Sequence, residues 1–423
     1  MGFFSATVDT TLRNDLDRAY ENMAFGSSYA AIIGLFKKED KSGDAVKVPL
    51  ITDFGPGMSA TAATAYANAG LLGRQAFVVT PFKCYGEALV PLDQAVFANG
   101  DDNSVVDLLL DESQKAMDSG NMQLDQALGA SGYGEVATIK SHSGATGAYT
   151  LVLSSRSDVN HITVGAKYVS KATPAAGSLD VGATAYFTVT SVAQSTNTII
   201  VADSNSWVPT DTHVIGLQGS MIASTSPSQW PGVPGWIPPA ASRPVSGADS
   251  FFSVNRSVNE GKLAGLYLDI SAAGTPMGLL EGINQLAYSI ADVPGATPDL
   301  VVMSFANLGK INAILQTQNR YMTQGLKGPD IDVFFKVVTI AGPRGDMALV
   351  GSSNWNSAYI AILDKSTWVL GAPGNKHLRP ATATDNPVET VPGTDTAIVA
   401  YRLAAFVYCT APGHNGMLTV PST

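Results

Sequence analysis

Hydrophobic and polar positions alternate in three rhythms along this chain. In residues 7–36, Leu12, Leu16, Ala19, Tyr20 and Met23 recur at three and four residues, which predicts a helix with one apolar face. Thr7 or Thr10 can cap it, Asp9 suits its positive end, and Gly26 and Gly34 interrupt it. The same period predicts a long helix over 103–128, capped by Asn103 or Ser104. Its buried side carries Val105, Val106, Leu109, Leu110, Ala116, Met117, Leu124 and Leu128, and Gly129, Gly132 and Gly134 stop it. From about 135 to 225 the period becomes two: Tyr149, Leu151 and Leu153, then Phe187 and Val189, then Ile199 and Val201. That rhythm predicts a small all-β module.

Beyond it, GSMIASTSPSQWPGVPGWIPPAASRP (219–244) is too proline-rich for regular structure and predicts an extended crossing loop. An α/β pattern follows. Leu279, Leu280, Ile283, Leu286, Ala287 and Ile290 make an amphipathic helix ended by Pro294-Gly295. Leu300–Met303 is a short buried strand, and Leu308, Ile311, Ile314 and Leu315 form the next helix. Strands are expected at 333–340, 347–350, 358–363 and 367–370. TAIVAYRLAAFVY (396–408) is a long, nearly all-apolar strand.

Residues 37–92 fit none of these rhythms for long. Val46, Val48 and Leu50 enter as a strand and residues 76–80 and 85–90 leave as strands, with Gly55-Pro56-Gly57 and SATAATAYANAG between them. A connection of that length with little apolar pattern is unusual inside a compact domain. Two readings stay open: an alanine-rich surface helix on a loop, or an extended hairpin arm that finds its core on another subunit.

Composition sharpens the second reading. Apolar residues make 45% of the 423 and charged residues only 14%, against about 25% in an ordinary soluble protein. The longest apolar runs, such as YAAIIGLF (29–36), fall short of the ~18 residues of a membrane span. Surface with so little charge stays soluble through Ser, Thr, Asn and Gly, or is covered by partners. The net charge of −10 lacks the basic footprint of a nucleic-acid binder, so DNA nearby is not gripped. The start, MGFFSATVDTTLRND, has no basic region followed by an apolar one, which predicts no secretory signal. Cys84 and Cys409 cannot build a disulfide framework and are expected as reduced, buried thiols.

Candidate chemistry is sparse. GxSxG and GxxxxGK[ST] are absent, and GASGYG (129–134) follows a helix, so it reads as a helix stop and not a dinucleotide loop. His142, His161, His213, His377 and His414 lie far apart, outside metal-ligand spacing. Asp101-Asp102 and Glu39-Asp40 are paired acids that adjoin expected turns or helix starts, where helix-end electrostatics accounts for them. The Asn255-Arg256-Ser257 triplet is a common chance match to a glycosylation site. No catalytic residue, metal site or cofactor site is expected.

SFFSVNRSVNEGKLAGL (250–266), preceded by GWIPP, closely resembles a segment of the major capsid proteins of tailed bacteriophages. PDLVVMSFANLGKINAIL (298–315), residues 333–370 and TAIVAYRLAAFVYCTAPGHNGMLTV (396–420) resemble the successive elements of the same coat fold, the Hong Kong 97 type. The resemblance implies an α+β capsid fold with these parts: an N-terminal arm (1–44), an extended hairpin loop (45–92), a peripheral domain with a spine helix (93–134), an inserted β-rich domain (135–225), a crossing loop (226–250), an axial domain (251–395) and a C-terminal strand returning to the peripheral domain (396–423). It implies self-assembly as hexamers and pentamers into an icosahedral head around double-stranded DNA, with virion localisation after assembly in the host bacterial cytoplasm and no membrane contact. Phe54, Met58, Leu71 and Leu72 would anchor the hairpin on a neighbour, and Arg256 would be a further assembly contact, binding carbonyls or an acid at the junction; Phe251, Phe252 and Leu263 would pack. With about 44 residues before the arm, a separate scaffolding protein is expected, beside a portal protein and a cement protein. Two other classes remain open: a β-rich decoration, tail or adhesion protein, and a carbohydrate-active enzyme with a β accessory module, which would need two carboxylates ~5–9 Å apart.

Overall fold

A computed structural model describes residues 36–41, 43–53, 59–67, 73–91, 120, 123–145, 147–180, 186–203, 207–224, 226–239, 251–270, 277–317, 338–372, 378–380, 388–390 and 396–420. The expected helix over 7–36 (save Phe36), most of that over 103–128, and residues 333–337, Asp101, Asp102 and His377 lie outside these stretches.

The run LVVM forms β12 (Leu300–Ser304), buried along its whole length, which is why it reads as continuously apolar. It pairs parallel with β14 (Gly345–Ser352) and antiparallel with β15 (Tyr359–Leu363). The sheet runs β11 (Leu266–Asp269), β20 (Gly416–Thr419), β15, β12, β14, β13 (Val338–Gly342). Helix Leu279–Ala291 lays Ile283, Leu286, Ala287 and Ile290 on this sheet against Ile270, Val301, Met303, Ile360, Ile362 and Leu418. The second helix, Phe305–Thr317, adds Ile311 and Leu315 to the same core.

A second mixed sheet is built on β19 (Thr396–Cys409). Along β19, β4 (Phe82–Pro91) pairs antiparallel from Pro91↔Thr396 to Phe82↔Ala405. β16 (Trp368–Ala372), β17 (Leu378–Pro380) and β18 (Val388–Thr390) pair with other parts of it. At the edge, β1 (Lys37–Asp40) runs parallel to β16. Glu39-Asp40 therefore belongs to an edge strand and not to a helix start. Lys37 (3.0 Å) and Lys41 (3.2 Å) bracket Glu39, and the Lys37 bond foremost holds its carboxyl below the usual range. Charge on an exposed edge discourages uncontrolled strand addition.

Residues 123–128 are helical, and Leu124, Ala127 and Leu128 pack into the core beneath this sheet. The helix ends at the expected glycines, with Gly132 at φ 99° and Gly134 at φ 76°. The chain then enters a closed barrel in the order β10 (Val214–Leu217), β5 (Glu135–Ala145), β6 (Ala148–Leu153), β9 (Thr198–Asp203), β8 (Phe187–Ala193), β7 (Lys167–Lys171). Inside it Trp207 stacks on Phe187 at 4.2 Å, beside Tyr168, Leu151 and Val201. Closure leaves the barrel no open sheet edge.

β2 (Val46–Asp53) and β3 (Gly73–Val79) form a separate two-stranded hairpin. Its base is buried through Val48, Phe77 and Val79. Between the strands, helix Ala62–Ala67 buries nothing, and Tyr66 is 87% exposed. Both readings of this segment thus hold part of the truth: a hairpin, carrying a short alanine-rich helix.

Candidate functional site

The hairpin's seat is built by the passage expected to be an extended loop. That expectation needs correction: Val233–Trp236 makes one fully buried helical turn. Proline is tolerated in a first turn because its missing N–H has no helical partner there. Gly232 is required by contact, since a Cβ would lie 2.2 Å from the Leu128 carbonyl oxygen. Trp236 is fully buried, with Phe77 of β3 edge-on at 5.0 Å, Phe251 at 5.0 Å and Phe252 at 5.4 Å. Phe251 and Val254 exchange backbone hydrogen bonds around a tight turn with Phe252 at φ 47° and Ser253 at φ 68°. This left-handed geometry is costly for residues with side chains. In it, the Phe252 carbonyl accepts the Val78 N–H at 3.1 Å, tying the turn to the hairpin.

Arg256 is 5% exposed and lies inside the subunit. Nη1 donates to the carbonyls of Gly235 (2.9 Å) and Trp236 (3.4 Å), and the guanidinium stands 4.1 Å from the Phe251 ring centroid. A cation is thus placed where the helical turn leaves carbonyls free. Asn255 caps the next turn by accepting the Ser257 N–H at 3.0 Å. Arg256→Ala is expected to cost about 3 kcal/mol, because two buried carbonyls lose a charged donor and the ring loses its cation. Urea unfolding measures it; a change below ~1 kcal/mol would remove Arg256 from this role.

A second polar cluster joins the two mixed sheets. The chain crosses between them twice, from β15 to β16 through Asp364–Thr367 and from β19 to β20 through Thr410–Asn415. Asn415 is fully buried. Its Oδ1 accepts the Asp364 N–H and the Trp368 indole N–H, both at 2.9 Å; its Nδ2 donates to Thr367 Oγ1 (3.1 Å), the Ala411 carbonyl (3.0 Å) and Cys409 Sγ (3.5 Å). Burial pushes the Cys409 thiol up to about 12, so it stays protonated and donates to Thr367 Oγ1. Cys84, expected to be buried, is only half-buried, with Sγ 3.5 Å from Gln123 Oε1.

No protein-family model matches the chain, and no curated protein matches its sequence. Solved structures do. A chain of the cyanophage A-1(L) capsid asymmetric unit superposes with a TM-score of 0.53 at 9% identity, covering 93% of each chain. The architecture is a phage-capsid fold. A capsid chain of a native GTA particle gives 0.44 at 8% identity over 93% of this chain and 90% of that one. For a chain of the satellite phage P4 procapsid that includes a size determination protein, the values are 0.40, 9%, 96% and 98%.

Within this capsid fold, of the residues named from sequence, Arg256, Phe251, Phe252 and Leu263 meet in one core. Phe54, Met58, Leu71 and Leu72 lie outside the described residues. From sequence, Trp230, Trp236, Phe251 and Phe252 are expected to pin a loop, and Trp236 does pack on Phe251 and Phe252; its place at the centre of the hairpin's seat, and Asn415 as the tie between sheets, were missed. Neither carries a periodic or motif signal; the only hint was a tryptophan and an asparagine inside Gly/Pro turns.

The capsid fold also carries a titratable joint. His161, at the end of the helix after β6, places Nε2 3.0 Å from the Ser353 carbonyl, and Ser155 Oγ is 3.1 Å from Ser357 Oγ. From the other side, Asn354 Nδ2 donates to Asp125 Oδ2 at 2.8 Å. Burial lowers the His161 pKa below 6.5, and the bond to Ser353 only partly offsets it. The unfolded chain therefore takes up a proton first as pH falls. Stability from this joint is complete above about 6.5 and is lost as pH drops from there toward the folded value. Denaturant midpoints from pH 7.5 to 5 should decline in the wild type and decline less in His161→Gln; equal slopes would remove His161 as a cause.

Proposed function

We propose that this chain is the major capsid protein of a tailed phage, assembling as hexamers and pentamers into an icosahedral head around double-stranded DNA. What supports the reading is correspondence with a capsid chain over 93% of both molecules, joined to one physical observation. The six residues Ala62–Ala67 are helical yet bury nothing. Isolated helices below ~12 residues are marginal in water, and a lone two-stranded hairpin is little better. Such an arm gains its remaining stability from a surface on another molecule. In this proposal Phe54, Met58, Leu71 and Leu72 supply apolar anchors on a neighbouring copy, while Arg256 works within the subunit to hold the hairpin's seat.

The domain scheme is proposed with it: N-terminal arm, hairpin, peripheral sheet with its helix, inserted barrel and axial sheet. One boundary in that scheme changes. β20 belongs to the sheet of β11 and β15, so the C-terminal segment crosses back after β19. A contact of standard size buries roughly 1,600 Å², and association costs several kcal/mol, so each contact stays weak enough for misplaced subunits to leave. A separate scaffolding protein, a portal protein and a cement protein are the proposed partners; assembly in the bacterial cytoplasm and residence in the virion follow. A decoration or adhesion protein centred on the barrel would leave both mixed sheets without a role. Negative-stain microscopy of the expressed protein, alone and with a candidate scaffold, is expected to show closed particles. A monomer under both conditions overturns the proposal.

A further inference from the structure

The outer wall of the barrel has two unlike halves. Along β7 and β10 the chain covers it itself, with Leu179 and Tyr186 packed against the buried Val169, Val214 and Met221. Along β6, β9 and β8 the residues Leu151, Val201 and Val189 enter the barrel core, so those that alternate with them face outward, as do their partners on β5. The register aligns these outward residues in three rows of four. The middle row is Ser143, Thr150, Ile200 and Ser191; the rows beside it, from Ala145 to Thr188 and from Ser141 to Ala193, hold only Ala, Ser, Thr and Val. All are exposed or partly exposed, Ile200 to 45%. Lys140, in the bulge beyond Ser141, borders the rows without belonging to them. Protein surfaces are about 25–35% charged, so about three or four charges are expected on such an area. These rows hold none.

We infer that this wall, centred on Thr150 and Ile200, is a contact surface for the same wall of a second copy. A twofold contact is made by one patch on both molecules, so a charge near its axis would meet its own like, at a cost that suppresses pairing. In a chain of net charge −10, a surface that meets itself has to be neutral, and this one is. Other occupants fit worse. Phosphate needs cations, which the rows lack, and a small ligand needs a concave site, whereas the outside of a closed barrel is convex. Convexity also limits the contact. Two walls touch mainly along β6 and β9, about 10 Å across the strands by about 20 Å along them. That is roughly 200 Å² per copy, about a quarter of the ~800 Å² each partner gives to a standard contact. It holds no dimer by itself and acts between copies that other contacts have already brought together, where effective concentration is high. For that alignment the inference rests on the capsid reading.

The test is a trap. Thr150→Cys offers a thiol in the middle of the wall to a short bis-maleimide, in free subunits and after incubation with the candidate scaffold. The parent chain is the blank, because Cys409 is buried and Cys84 half-buried. Linked pairs should increase with concentration and be more than tenfold enriched in particles over dilute subunits. Thr173→Cys, exposed on the loop after β7, should give none. Adding Ile200→Lys or Ile200→Asp to Thr150→Cys should each cut linking more than tenfold, since a charge against its like costs more than a tenfold change in affinity. The urea midpoint should stay where it was, as for other outward residues. Mixing the two charged variants in equal amounts should restore most of the linking, because each charge then meets its opposite. No link through Thr150→Cys, equal linking through Thr173→Cys, no effect of either charge, or no recovery on mixing overturns the inference. Particles that form without Thr150→Cys links refute it and leave the capsid reading standing. Concentration-dependent links without any particle do the reverse.

Discussion

Deleting Gly55–Gly73 leaves a folded, soluble subunit that forms no closed shell. The deletion removes the end of the hairpin with helix Ala62–Ala67, which buries no residue, and it spares the seat. Val48, Phe77 and Val79 keep their places in the core, Phe77 keeps its edge contact with Trp236, and the Phe252 carbonyl still accepts the Val78 N–H. Subunit stability should therefore shift by less than ~1 kcal/mol, as expected of a change away from core contacts. Assembly should change from complete to absent. Each arm contact is modest, but every copy loses it, and weak contacts that leave only a small surplus over the cost of association cannot tolerate a common loss. Urea unfolding and negative-stain microscopy of the same preparation decide the matter. Normal particles from the deleted chain would deny the arm its role, and an unfolded subunit would mean that the seat depends on the tip.

Much of the core architecture was legible because it rests on burial patterns that a linear sequence can carry. Helix Leu279–Ala291 and strand β12 sit within one residue of their expected limits, since an amphipathic period and a short run of LVVM between turn residues each allow few alternatives. β19 was legible for the same reason. Barrel closure was not. Strands β6 and β9 alternate, and β8 alternates up to a register shift after Val189, but β5 ends in exposed SHSGA and β7 is almost wholly buried, so neither shows a full period of two. Closure is a property of pairing between distant strands, such as β10 with both β5 and β7, and a local pattern does not encode it. The seat failed for another reason. Pro and Gly in GVPGWIPP signal an irregular path, yet the one turn they permit is stabilised by Trp236, and only the fold reveals what surrounds an indole. The buried and unpaired Trp236 Nε1 and Gln75 Oε1 show that this core is not fully satisfied within the described residues, a departure from local consistency that often accompanies function.

Asn415→Ala should destabilise the subunit by about 3–5 kcal/mol, more than Arg256→Ala does. The change leaves two buried donors, the Asp364 N–H and the Trp368 indole N–H, without acceptors, and takes the amide donor from Thr367 Oγ1 and the Ala411 carbonyl. Orphaned buried groups cost about 1–3 kcal/mol each. Against a typical domain stability of about 5–15 kcal/mol, the loss is a large fraction of the whole. Asn415→Asp separates hydrogen bonding from size. It preserves volume and the acceptor toward Asp364 N and Trp368 Nε1, but it turns a carboxylate oxygen toward the Ala411 carbonyl and adds charge beside the buried Asp364. It should therefore be no better tolerated than alanine. Because Asn415 ties both crossings, amide exchange should accelerate in β16 and β20 together, while the barrel strands keep their protection. Wild-type urea midpoints in both variants would show that the two sheets are held together by their apolar contacts alone. Faster exchange confined to β20 would reduce Asn415 to a local turn residue. Coupled loss in β16 and β20 would make it the joint through which the hairpin-bearing sheet and the helix-covered sheet keep one relative orientation.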